Sequence, residues 1–529
     1  MAQASVTSEI AGVAMPAMRA AKASQSKKQS YSQILKSTAL VGGSSVVTIV
    51  FGIVRTKAIA LCLGPAGVGV MGLYSSIADL AYNLAGMGIQ SSGVRQIAEA
   101  VGSGDEERIA RTVVVLRRVS TVLAVCGAGL LLLLASPVSR VTFGGYQQTA
   151  GVALLSMAVC FRLLSGGQAA LIQGMRRIRD LATMSVLGAV LGTAITIPLV
   201  YFFRERGVVP SLVAVAGTSL LLSWWYARKS RVLAPPIALA NLAAEAGALL
   251  KLGLAFMASG FLTMGTAYVV RIIVLRNGGF EAAGLYQSAW TIGGLYVGVI
   301  LQAMGTDFYP RLTAVNSDDA ECNRLVNEQA RVGLLLGGPG VIATLTLAPL
   351  VIAVFYSARF APAADLLRWI CLGMMLRVVA WPMGYIVVAK GAPLTFFWTE
   401  VAATAVHVGL AWMLVTRLGL NGSGAAFFGL YVWHGLLIYL VVRRLSGFRW
   451  SPENLRLGGT FLLLIGLVFS SFYLLPRWLA TVGGLTGAVG TGVYSIRALA
   501  TLVPAESMPR PLASWVSRLG LSRAVTPTR

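Results

Sequence analysis

The chain is 529 residues long, 56% apolar and only 12% charged, with a mean hydropathy of +0.76. These values exclude a water-soluble globular protein and describe a membrane protein. Its 43 Lys and Arg against 19 Asp and Glu leave a net charge of +24, a balance that in a soluble chain points to nucleic acid; here its distribution along the chain accounts for it.

The first 36 residues, rich in Ala, Ser, Gln and Lys, read as a flexible tail without a cleavable signal peptide, because their one apolar patch, Ile10 to Met18, is short and broken by Gly12 and Pro16. A bilayer core needs about 20 mostly apolar residues per helix. Fourteen stretches meet that test: 37–63, 69–94, 113–137, 150–175, 180–203, 208–227, 249–275, 282–306, 332–356, 363–389, 394–416, 421–442, 459–476 and 481–503. Assigning alternate loops to opposite sides puts 27 Lys and Arg on the side of the N-terminal tail and 7 on the other. Cytoplasmic loops collect cations, so both termini are expected in the cytoplasm, and the charge of +24 needs no nucleic acid. Nine cations remain in or beside the spans: Arg55, Lys57, Arg117, Arg118, Arg162, Arg271, Arg368, Arg377 and Arg497. Five scattered cysteines with no CxxC pair predict neither a disulfide framework nor a zinc site, and they read as small apolar residues. No metal or cofactor is expected.

Two long stretches match at an offset near 215 residues. Lys57 to Gly64 followed by Gly69 parallels Arg271 to Gly278 followed by Gly284; "AGMGIQ" parallels "QAMGTD"; "VCFR", ending at Arg162, parallels "MMLR", ending at Arg377. Their common order and polarity across six spans predict two parallel six-helix halves, 31–230 and 245–445, with two extra helices over 459–503 and cytoplasmic tails at 1–30 and 504–529. In transporters built from such repeats the substrate site lies between the halves.

The segments "VRTKAIALCLGPAGVGVMGLY" (54–74), "GMGIQSSGVRQIAEA" (86–100), "LIQGMRRIRD" (171–180), "GLYQSAWTIGGL" (284–295) and "MGTDFYPRLTAV" (304–315) resemble the O-antigen and polysaccharide lipid flippases of the multidrug/oligosaccharidyl-lipid/polysaccharide exporter superfamily. The resemblance covers residues 31 to about 445. It implies an all-α polytopic membrane protein with two lobes around a central cavity. It also implies that an undecaprenyl-diphosphate-linked oligosaccharide, an O-antigen or exopolysaccharide repeat unit, moves from the cytoplasmic to the periplasmic leaflet of a bacterial inner membrane by alternating access. The protein would act alone or with a polysaccharide polymerase and a chain-length regulator. Many members of this branch have twelve helices, so the last two spans are a departure, read here as padding of the bundle rather than a lipid-tail groove.

A charged side chain at the bilayer centre costs roughly 3 kcal/mol, so nine facing lipid would cost on the order of 25 kcal/mol. Most must snorkel, pair or line a wet cavity. At 1.5 Å per residue, Arg162 lies about 18 Å and Arg377 about 21 Å from the outer ends of their helices, both near the midplane. They either face one cavity from opposite lobes or pair within a lobe. Arg55, Lys57 and Arg271 sit in the outer third of the first and seventh spans; with Arg162 and Arg377 they form the candidate diphosphate-binding set, since a diphosphate calls for charge-assisted donors. Arg55 and Lys57 point about 200° apart around their helix, so one of them is structural. Asp79 is the clearest mid-membrane acid, and reads as an ion-pair partner of Arg55 or as a coupling-ion site. His407 and His434 are either proton relays or, the plainer reading, satisfied core residues. Glu400 sits one or two turns inside the cytoplasmic face, and completes the set of coupling-ion or structural-pair candidates.

The match of "GVGVMG" (67–72) to GxGxxG lies at a hydrophobic helix turn, not in a strand-to-helix unit, and carries no nucleotide reading. No Gly-Lys dipeptide occurs, so there is no Walker A loop, and HExxH and GxSxG are absent. Transport is therefore expected to draw on an ion gradient, the membrane potential or consumption of product. Two other functions remain open. A multidrug antiporter calls for an acidic cavity, against the excess of cations in these spans. A membrane polymerase or ligase calls for a larger outer loop than residues 138–149 supply.

Overall fold

The computed structural model describes residues 43–229 and 245–500, apart from 252, 255, 256, 303, 306 and 307; the expected tails at 1–30 and 504–529 lie outside them. The described residues are helical apart from short connecting turns and contain no strand. In chain order the helices are α1 (Gln3–Gly86), α2 (Ile89–Ser103), α3 (Glu106–Leu133), α4 (Ala135–Phe143), α5 (Thr149–Gly174), α6 (Ile178–Phe203), α7 (Val208–Arg228), α8 (Leu239–Ala314), α9 (Asp319–Thr346), α10 (Ala348–Phe355), α11 (Ala363–Ala389), α12 (Pro393–Leu418), α13 (Asn421–Ser446), α14 (Pro452–Leu474) and α15 (Arg477–Leu502).

Among the described residues ten helical segments are long and apolar enough to cross a bilayer, and three of them, of 44, 51 and 46 residues, have the length for two crossings each. The pair α9 and α10, bent by 82°, adds one more. That makes room for fourteen crossings, the number of apolar stretches in the sequence. The bend corrects one expectation: the stretch at 332–356 is not one straight helix but the end of α9 followed by the short α10.

The repeat is visible in backbone detail. The helical ladder of α1 breaks at Gly64 (φ 68°, ψ −170°), and that of α8 breaks at Gly279 (φ 72°, ψ −173°), 215 residues further on. The second break falls one residue beyond the expected Gly278. Both sit in the left-handed region, where a Cβ is strained and glycine is not. Helices α3 and α9 each begin on an aspartate: Asp105 accepts from the amides of Glu107 and Arg108, and Asp318 from that of Glu321. Such caps satisfy amides that the first turn leaves orphaned. Each helix is followed by a short one, α4 and α10.

The two halves meet along α1 and α8. A Cβ on Gly69 would lie 2.3 Å from the Phe280 carbonyl oxygen, and one on Gly284 would lie 1.8 Å from that of Pro65. Phe280 and Gly284 stand to each other as Pro65 and Gly69 do, so the contact is symmetric. In the first lobe α5 packs on α3 and α7, and α6 on α1 and α7; in the second α11 packs on α8, α9 and α13, and α12 on α8 and α13. One apolar cluster runs from Ile59, Ala60 and Val68 of α1 into the second lobe and out to Phe461 and Ile465 of α14. Helices α14 and α15 lie against α9. Gly338 leaves room for the Phe461 ring, and Arg331 pairs with Glu453 at 2.6 Å.

Candidate functional site

Three helices of the second lobe each present one stripe to a common space. On α11 the stripe is Arg377, Trp381, Gly384, Tyr385 and Val388; on α12 it is Phe396, Glu400, Ala403, Thr404 and His407; on α13 it is Phe427, Leu430, Tyr431 and His434. The spacing of three and four residues keeps each stripe on one helix face. Pro382, inside α11, has no amide to give to the carbonyl one turn back, which loosens the helix where it borders this space. The first arm of α8 adds Thr263, Thr266 and Arg271, its second arm Tyr286 and Trp290, and the first lobe contributes Ser76 and Asp79 from α1. Together they enclose a cavity of about 640 Å³ between the lobes.

Its charges are arranged in two groups. Arg162, on α5, places Nη2 2.8 Å from Asp79 Oδ1 and stacks over the Tyr82 ring at 5.0 Å. This replaces the expected Arg55–Asp79 pair. The break at Gly64 separates the two arms of α1, and the arm that carries Asp79 packs near α5, while Arg55 lies against α6 at Gly192. Arg162 therefore meets the cavity through its partner Asp79 and is not one of the lining residues. On the opposite wall Arg271 donates from Nε to Gln287 Oε1 at 2.9 Å and from Nη1 to the Ala267 carbonyl at 3.0 Å. A guanidinium carries five N–H donors, so among the described residues Arg271 keeps three unused. Arg377 makes no hydrogen bond or ion pair among the described residues, and lies close enough to Glu400 for their charges to interact. Glu400 is thus a cavity residue.

The histidines depart from the plainer expectation. His407 is 7% exposed, with its ring 6.0 Å from that of Phe427, and its Nε2 has no partner. His434 lies 5.9 Å from Tyr431 with its Nδ1 unpartnered. Both are cavity-wall side chains with a buried nitrogen to offer, not satisfied core residues.

Two other expected site residues lie elsewhere. Lys57 donates to the carbonyls of Ala353 (3.2 Å) and Val354 (2.8 Å), the last turn of α10 in the other lobe. Terminal helix carbonyls lack intrahelical partners and carry the negative end of the dipole, so a cation is favoured there. Arg276 does the same in reverse, donating to the carbonyls of Arg140 and Val141 at the end of α4. A pair of cross-lobe latches results, one from each repeat. Arg55 lines a separate recess inside the first lobe, with Thr48, Ser165, Thr193 and Ser219.

Sequence reasoning missed the aromatic wall: Tyr286, Trp290, Trp381, Tyr385, Phe427 and Tyr431. On α11 the signal was present as a helical stripe that begins at a charged residue, Arg377, and continues one turn at a time through Trp381 and Tyr385. Among the described residues no cluster of His, Cys, Asp and Glu fits a metal ion.

Comparison with known proteins agrees with this architecture. A protein named lipid III flippase from Escherichia coli (strain K12) is 23% identical over 434 residues, covering 78% of this chain and 99% of that protein. Among solved structures, a lipid II flippase, MurJ, in an inward closed conformation covers 87% of the chain and 99% of its own, with a TM-score of 0.64 at 13% identity. An inward-facing multidrug resistance MATE family transporter of the MOP superfamily covers 76% of the chain and 96% of its own, with a TM-score of 0.59 at 16% identity. These structures share the fold of this chain. The family described as polysaccharide biosynthesis protein matches residues 58–365, more than half of the chain and everything from the Gly64 break to the start of α11; the chain is a multi-pass membrane protein that belongs to this family, with the fold of the MOP superfamily transporters.

Proposed function

We propose that this protein is a flippase for an undecaprenyl-diphosphate-linked oligosaccharide, an O-antigen or exopolysaccharide repeat unit. It moves its substrate from the cytoplasmic to the periplasmic leaflet of a bacterial inner membrane by alternating access, with both termini in the cytoplasm. The observation that carries this reading is the pair Arg271 and Arg377: two guanidiniums with unused donors on the wall of an aromatic-lined cavity between the lobes. A diphosphate supplies the charge and the acceptors that these groups lack, and charge-assisted bonds are about twice as strong as neutral ones. The aromatic side chains suit sugar rings, which offer an apolar face and hydroxyls. Asp79 serves as the structural partner of Arg162, while Glu400, His407 and His434 are the groups assigned to ion or proton coupling. The flippase names of the sequence relative and of one structural neighbour support the same reading.

A multidrug antiporter shares this fold, but with Asp79 neutralised by Arg162 the cavity keeps two guanidiniums against one carboxylate, the wrong balance for cationic drugs. The test is translocation of a fluorescent undecaprenyl-diphosphate oligosaccharide in proteoliposomes, at equal reconstitution and with imposed ion gradients. Arg377→Gln and Arg271→Gln are each expected to slow flipping at least tenfold, in line with about 1.5–3 kcal/mol for a hydrogen bond to a charged group. Flipping unchanged in both variants discards the site. No flipping by the wild type above protein-free vesicles discards the function.

A further inference from the structure

A cation inside a bilayer needs a counterweight, because an unpaired buried charge costs several kcal/mol. Of the nine cations in or beside the spans, Arg117, Arg118 and Arg497 are exposed on the outside of the bundle. Lys57, Arg162, Arg271 and Arg368 each hold an oxygen acceptor. Arg377 faces the central cavity. Arg55 remains: half-buried, with no hydrogen bond or ion pair among the described residues, its Nη1 3.5 Å from where a Cβ on Gly192 would sit.

The space beside it is a recess of about 420 Å³ between α1, α5, α6 and α7, which shares no lining residue with the central cavity. No carboxylate lines it. Its polar lining is hydroxyl: Thr48, Ser165, Ser185, Thr193 and Ser219. Each of these now donates to a backbone carbonyl of α1, α6 or α7, as Thr193 does to Phe51 at 3.2 Å and Ser219 to Val215 at 3.0 Å. A hydroxyl hydrogen rotates freely, and most of these carbonyls already have a helix amide, so the donors can turn to a ligand at little cost. The remaining lining, including Leu181, Met184 and Leu222, is apolar.

We propose that this recess is a second anion site, distinct from the substrate cavity, which takes one singly charged phosphate group against Arg55 and the surrounding hydroxyls. One cation and no acid match a monoanion, and a planar guanidinium takes two phosphate oxygens at once. The group is either the phosphodiester of an anionic lipid or free inorganic phosphate. The inference stands apart from the flippase reading, since it concerns a site the cavity does not touch.

The test is thermal unfolding of the purified full-length protein in neutral detergent, titrated with dioctanoyl phosphatidylglycerol or with inorganic phosphate at constant ionic strength set with chloride. The wild type and Arg377→Gln are expected to show a saturable rise in Tm with one of the two phosphate sources, which identifies it as lipid or free anion. Arg55→Gln should weaken the apparent affinity at least tenfold, and Arg55→Lys should keep part of it. If Arg55→Gln does not yield folded protein, Arg55→Lys with Ser219→Ala carries the same comparison. The proposal falls if neither source moves the wild type, if Arg55→Gln responds as the wild type does, or if the response is lost in Arg377→Gln alone.

Discussion

Asp79 and Arg162 show how much a single contact decides inside a membrane. The two side chains are 45% and 36% exposed, so their surroundings screen them and their attraction is worth about 1 kcal/mol. Arg162→Gln is expected to lower stability by about that much, and adding Asp79→Asn should recover most of the loss; equal Tm values for wild type and Arg162→Gln would remove the pair from the account. His407 is the opposite case. Its buried Nε2 has no partner, and an unsatisfied polar group costs about 1–3 kcal/mol. His407→Met, similar in volume and without the ring nitrogens, should therefore raise Tm while reducing transport. A fall in Tm would mean that the ring is held by packing alone and that its nitrogen is not kept for function.

At the scale of elements, glycine does its work where backbones touch. Gly284→Ala forces a methyl onto the Pro65 carbonyl at 1.8 Å. With no side chain that can move aside, the contact between α1 and α8 must open, at a cost of about 1–3 kcal/mol. Gly466→Ala in α14 meets nothing within 4 Å, and is the matched control, expected to leave Tm unchanged or slightly raised. Tm values of both variants in detergent decide the point: equal losses would mean that the close approach does not govern stability. The latches act at the same scale. Lys57→Met and Arg276→Met should each lower stability by about 1–2 kcal/mol through the lost charge-assisted bonds, and the double variant by more than either, because both bridge the lobes.

For the whole molecule, the open question is what α14 and α15 add to a twelve-helix transporter. They cover α9, and α14 also covers Arg368 of α11, which is 7% exposed, paired with Asp365, and lies 3.9 Å from the Phe472 ring. A chain ending after Ser446 uncovers that guanidinium to lipid and leaves Asn327 without its bonds to Asn454 and Ser451. Truncation should lower Tm by more than Arg331→Gln does, since the latter removes only a half-exposed ion pair. Flipping per folded molecule is expected to stay near the wild-type rate if the two helices are padding; a complete loss with the lobes intact would make them part of the substrate path.

Much of this architecture is written in the sequence because hydropathy and spacing are properties of the chain itself. The apolar stretches, the cations trapped within them and the offset that links Gly69 to Gly284 all follow from residue order, and the stretch at 363–389 coincides with α11. The expected depth of Arg377 and Asp79 follows from residue order too, since a helix rises by a constant step. What residue order does not carry is the direction each helix face takes once the lobes pack. That is why Asp79 meets Arg162 and not Arg55, why Lys57 turns to the carbonyls of α10, why Glu400 joins Arg377 in the cavity, and why both histidines keep a free nitrogen. Pairing in a membrane depends on which helices are neighbours and how they are rotated, and those are set by contacts between residues hundreds of positions apart.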